Sequence, residues 1–130
     1  MMKTKTTYTG KLNSTVRLPV ELKARFDSAC NAAGLNQKEA FLISLTLLYS
    51  NPDEWTRKVI ISQVDLPNPN FHVRLNGVAS AWFDEIVNAI QENRNAQEPI
   101  IMVTKTEVIV AIVYRFIQLV EMDALIRFPF

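Results

Sequence analysis

The chain has 130 residues, 48% of them apolar, and 14 Lys and Arg against 13 Asp and Glu leave a net charge of +1. That is enough apolar side chain for a real core, which excludes a disordered chain, and too little net charge to name a partner. The single cysteine, Cys30, excludes an intrachain disulfide, and the longest apolar run, Val108 to Tyr114, is far below the ~20 residues that span a bilayer. A cytoplasmic protein with no membrane partner is expected, and residues 1–11 lack the apolar stretch of a signal peptide.

Residues 1–12 are rich in Thr and Lys and carry Lys3, Lys5 and Lys11. They read as a flexible basic arm able to reach phosphates or a minor groove, or equally as an untethered tail. Asn13-Ser14-Thr15-Val16-Arg17-Leu18-Pro19 comes next. As a strand it turns Val16 and Leu18 to one face and Asn13, Thr15 and Arg17 to the other. From Val20 to Ala33, Leu22, Phe26, Ala29, Cys30 and Ala33 fall at helical spacing, with Pro19 at the start and Gly34 as the stop. Asn36-Gln37-Lys38-Glu39 predicts a capping box that opens a second helix to about Tyr49. That helix is apolar almost all round, through Phe41, Leu42, Leu45 and Leu48, so it is expected to be buried on more than one face.

Residues 51–69 form a connector. Asn51-Pro52-Asp53-Glu54 predicts a helix start, with a short helix to about Val64 and a proline-stiffened approach over 65–69. Then the order begins again. Asn70-Phe71-His72-Val73-Arg74-Leu75-Asn76 stands 57 residues after the first strand, and both copies read Asn-x-(Thr/His)-Val-Arg-Leu. Asn70, His72 and Arg74 are expected to face outward and Val73 and Leu75 inward. The same offset carries Leu22, Phe26, Ala29, Cys30 and Ala33 onto Ala79, Phe83, Ile86, Val87 and Ile90, a helix to about Glu92. An insertion over 93–103, about 11 residues longer than the first turn, precedes a second predicted capping box, Thr104-Lys105-Thr106-Glu107. The last helix runs from Val108 to about Met122, again apolar almost all round, and the tail 125–130 is apolar as well.

Residues 13–50 and 70–124 thus each spell strand, helix, turn, helix. Neither unit can cover its own core: its strand lacks a partner and its helix pair exposes a wide apolar face. Such a unit ordinarily pairs with a second chain, whereas here the second copy lies in the same chain. The fold expected is mainly α with a short two-stranded antiparallel ribbon, the two units forming an intramolecular pseudo-dimer. The outer row of such a ribbon has the shape and hydrogen-bonding groups to enter a major groove, although any half-exposed strand alternates in this way.

The succession Thr-Val-Arg-Leu-Pro, then Ala-Ala-Gly-Leu-Asn-Gln-Lys-Glu-Ala, resembles the ribbon-helix-helix DNA-binding family of the Arc and MetJ repressors. As a tandem copy the chain is similar to TraY-type plasmid-transfer proteins. The resemblance implies a sequence-specific double-stranded DNA-binding protein, acting as a transcriptional repressor or a conjugation accessory factor. It implies base reading by Asn13, Thr15, Arg17, Asn70, His72 and Arg74. It also implies phosphate binding by Asn36, Gln37 and Lys38 at one helix N-terminus and Thr104, Lys105 and Thr106 at another. The residue types suit those tasks: Arg pairs with guanine, Asn with adenine, and a helix N-terminus attracts an anion. Plain helix capping is the competing explanation for the two N-terminal triplets. Neighbouring pseudo-dimers are expected to self-associate on DNA.

Asn76-Gly77 stands where the first unit has proline, and with the insertion this leads us to expect weaker DNA contact by the second half, or a partner protein at the 93–103 loop or the apolar tail 125–130. Since Thr15 and His72 differ, an imperfect or asymmetric site is expected. A protein-interaction module that keeps the fold without DNA binding is the alternative, favoured by the near-neutral charge, the acidic residues Asp84, Glu85, Glu92 and Glu98, and the apolar tail. An enzyme is not expected: His72 is the sole histidine, and no phosphate loop, metal constellation or cofactor motif is present.

Overall fold

The computed structural model describes residues 11–55, 68–96 and 102–122. Among these residues, four helices and one two-stranded antiparallel sheet follow in the order β1 (Lys11–Val16), α1 (Val20–Ala33), α2 (Gln37–Tyr49), β2 (Phe71–Asn76), α3 (Gly77–Asn95) and α4 (Lys105–Glu121), with a 3-10 turn at Pro52–Glu54. The fold is therefore mainly helical with a single ribbon. The rest of the helix expected in the connector, Lys3 and Lys5 of the arm, and the tail 125–130 lie outside the described residues.

Local chemistry sets most element ends. The Pro19 carbonyl accepts the Lys23 N–H at 2.9 Å and starts α1, with Glu21 in the first turn facing the positive end of the helix dipole. Gly34 ends α1 at φ 71°, in the left-handed region where glycine alone is unstrained. There the Gly34 N–H reaches the Asn31 carbonyl and the Leu35 N–H the Cys30 carbonyl, a Schellman closure. Both halves of the Asn36–Glu39 capping box are made, at 2.8 and 2.9 Å. Gly77, at φ 56°, turns β2 straight into α3 with no linking residue, where Arg17-Leu18-Pro19 bridges β1 and α1.

Two expectations change. Lys11 and Leu12 belong to β1, not to a flexible arm, because they pair with Asn76 and Leu75 across the ribbon. The helix expected to stop near Glu92 runs on to Asn95, so part of the expected insertion is helical. The cause is a long-range contact. Arg94, 7% exposed, forms a two-pronged ion pair with Glu107 on α4, one N–H···O distance being 3.0 Å. The Glu107 carboxylate in turn holds the Arg94 guanidinium above its ordinary pKa. Nearby, the Gln91 side-chain carbonyl accepts the Val103 N–H at 2.8 Å. These contacts fasten the two ends of the insertion to each other.

The core lies between the inner face of the ribbon and the four helices. α1 packs on α4, α3 on α2, and α2 and α4 on each other. Phe26 sits at the centre, fully buried, edge-on to Phe71 of β2 at 5.5 Å and to Phe116 of α4 at 5.9 Å between ring centroids. Ser44, also buried, donates to the Ile112 carbonyl at 2.7 Å and so joins α2 to α4 without an orphaned hydroxyl. Cys30 is a core residue as expected, and burial pushes its thiol up to about 11, which makes it unreactive at neutral pH.

Phe26→Ala is expected to cost about 3–5 kcal/mol in urea unfolding, because it removes a ring that joins α1 to β2 and α4; a loss below about 1 kcal/mol would contradict this packing. At the surface, Arg25 of α1 donates to Glu121 of α4 at 2.7 and 3.2 Å and holds that carboxyl below its ordinary value. A depressed carboxyl pKa stabilises the fold above the ordinary glutamate range, and the contribution is lost as pH falls through the lowered value. Glu121→Gln should therefore flatten the acid side of a stability–pH profile, and an unchanged slope would show that the pair contributes nothing.

Candidate nucleic-acid interface

The ribbon places the outward residues of two distant segments on one surface. Its register pairs Lys11 with Asn76, Leu12 with Leu75, Asn13 with Arg74, Ser14 with Val73, Thr15 with His72 and Val16 with Phe71. Leu12, Val16, Phe71, Val73 and Leu75 are buried, and Leu18, just past β1, is fully enclosed. With the inner face committed in this way, alternation sends Lys11, Asn13, Thr15, Arg17, His72, Arg74 and Asn76 outward, and all of these are exposed. None is a carboxylate, so the face is polar and positive.

The expected base-reading residues do not all share that surface. Asn13, Thr15, Arg17, His72 and Arg74 do. Thr15 and His72 are joined across the ribbon by a 2.8 Å hydrogen bond between the hydroxyl and Nδ1, which fixes the imidazole with Nε2 away from the bond. Asn70 departs from expectation. Its side-chain carbonyl accepts the Leu18 N–H at 2.8 Å, and its amide nitrogen donates to the Leu18 carbonyl at 2.9 Å. Its own N–H reaches the Val16 carbonyl at 3.1 Å. Asn70 thus acts as a clasp that prolongs the ladder beyond β1. Asn76 and Lys11 were missed as outward residues; the two-residue period of each strand, followed one step further, contains both.

The helix N-termini differ from each other. At α2, Asn36 is committed to the capping box, and Gln37 donates to Asp27 of α1 at 2.6 Å, leaving Lys38 exposed. Gln37, Lys38 and Phe41 line a concavity of about 350 Å³ with residues 71–75 of β2, so Lys38 opens onto the same hollow as His72 and Arg74. At α4, Thr104, Lys105 and Thr106 are exposed. The Thr104 hydroxyl accepts the Glu107 N–H at 3.1 Å, but the return half of the expected capping box is not made, because the Glu107 side chain is taken by Arg94. Among the described residues, no group of three or more His, Cys, Asp and Glu could hold a metal ion. In the same set no helix is long and apolar enough to cross a membrane.

Trp55 and Trp82 sandwich Tyr49, with ring centroids 5.5 and 4.8 Å away and planes within 26° and 13°. The Tyr49 hydroxyl donates to Glu85, which raises its pKa. Both indoles are therefore packing residues at the α2–α3 seam rather than exposed stacking platforms.

Asn70→Ala should destabilise the protein by about 1–3 kcal/mol, since it strands the N–H and carbonyl of the enclosed Leu18. Asn13→Ala, on the open face, should stay within about 0.5 kcal/mol of the parent. Equal losses in denaturant unfolding would contradict the clasp. Comparison of the chain with protein-family models, with curated proteins and with solved structures finds no match.

Proposed function

We propose that the protein binds double-stranded DNA through the outer face of the β1–β2 ribbon, as a transcriptional repressor or a DNA-transfer accessory factor. One observation carries the reading: the exposed row of Lys11, Asn13, Thr15, Arg17, His72, Arg74 and Asn76, free of carboxylates, on a two-stranded support. Two strands lie about 5 Å apart, and a ribbon of that width enters a major groove about 12 Å wide. Arg17 and Arg74 would pair with guanine, Asn13 with adenine, and Lys38 beside the ribbon with a backbone phosphate.

The pseudo-dimer belongs to the same proposal, and two facts support it. Positions 15 and 72, equivalent under the 57-residue offset, lie directly opposite each other, as they would on a two-fold axis. Exchanging α1 and α2 for α3 and α4 also preserves the helix contacts, with α1 on α4 matched by α3 on α2. The single chain would thereby present the paired ribbon that separate chains otherwise build by dimerising.

The test is the affinity of the whole protein for random and specific duplexes at two salt concentrations. Affinity should fall steeply with salt, and Arg17→Ala or Arg74→Ala should each cost about 1–3 kcal/mol and relax preference at one base pair. Salt-independent or absent binding would end the DNA reading and leave a protein-interaction module as the better account.

A further inference from the structure

We infer that base specificity is carried unevenly along the ribbon: the half of the duplex under Asn13 and Arg74 is read closely, and the half under Arg17 is read by that arginine alone. This rests on the DNA-binding reading above. The sequence copies are equal in this respect, since Asn13 and Arg17 recur as Asn70 and Arg74. The folded ribbon is not.

From the central Thr15–His72 pair toward one end, Asn13 lies opposite Arg74 and Lys11 opposite Asn76, and all four are exposed. Toward the other end, Arg17 is exposed but Asn70 is turned to the Leu18 backbone. The withdrawal is chemical as well as steric. To read adenine, an asparagine offers its carbonyl to N6–H and its amide N–H to N7. Asn70 spends that same acceptor and donor on the N–H and carbonyl of Leu18. Freeing it would leave both backbone groups of a fully enclosed residue without partners, which costs more than one base contact returns. The clasp therefore holds in the complex, and Asn70 is a positioning residue that keeps Arg17 and the ribbon end in place. Its counterpart Asn13 has no such duty and is available to adenine. The closely read half-site should then combine an adenine contact with a guanine contact, and the other half should fix one guanine.

Selection of duplexes from a random pool by the parent, Asn13→Ala and Asn70→Ala proteins tests this. The parent should enrich an asymmetric site with more fixed positions on one side of its centre. Asn13→Ala should lose about tenfold or more of its discrimination at one adenine in the closely read half. Asn70→Ala should keep every adenine preference of the parent while binding more weakly, with any loss of preference confined to the guanine read by Arg17. A palindromic consensus, or an Asn70→Ala protein that loses an adenine preference as Asn13→Ala does, would overturn the inference while leaving DNA binding intact. Failure of the parent to enrich any sequence would overturn both. Because Asn13 is exposed, the parent and Asn13→Ala arms decide the matter even if Asn70→Ala does not fold.

Discussion

The pairing of β1 with β2 in a single register is the constraint on which the rest depends. A strand has two faces, and only one of them can be buried here. With Leu12, Val16, Phe71, Val73 and Leu75 against the helices, every outward position is decided. A slip of one residue would carry Phe71 into water and His72 and Arg74 into the core. Phe71 resists this most strongly, since its ring is held by Phe26 of α1 and lies 5.9 Å from that of Phe41 of α2. The Asn70 clasp and the Thr15–His72 bond act in the same direction, one at the ribbon end and one at its centre.

The ribbon in turn needs the helices, because two strands alone are marginal in water. α2 and α4 serve as the inner pair, each buried on more than one side, and their contact includes the Ser44 bond to the Ile112 carbonyl. α1 and α3 cover the flanks and take the polar surface. The Lys23–Asp27 and Arg25–Glu121 ion pairs lie on or from α1, and the outward row of the ribbon itself carries no carboxylate. Stability and the candidate interface thus use opposite sides of the same two strands. Changes on the outer side are consequently expected to be cheap for folding, with Asn70 as the exception.

The two halves share a plan but divide their polar groups differently. In the first, a complete capping box closes the short turn between α1 and α2. In the second, the longer connection is held by Arg94 and Gln91 of α3, and the capping glutamate is drawn away from its own helix end. A buried guanidinium without a carboxylate would be costly, so the ion pair outweighs one capping bond. The α4 N-terminus is left with a single side-chain cap.

By itself the sequence determined the helix in 20–33 with its glycine stop, the capped helix that follows, the apolar periods of all four helices and the alternation of both strands. These are set by near neighbours: a capping side chain acts three residues away, and amphipathic period is a property of the segment. Most of the outer row was legible for the same reason. Only the tertiary structure decided that Lys11 joins the ribbon, that α3 runs to Asn95, that Glu107 turns to Arg94 and that Asn70 turns to Leu18. Each of these depends on a partner distant in the chain, in three cases by 13, 52 or 65 residues, which no local pattern reveals. A repeated motif announces equal halves, but which of two identical asparagines is free is settled by the backbone group each finds beside it.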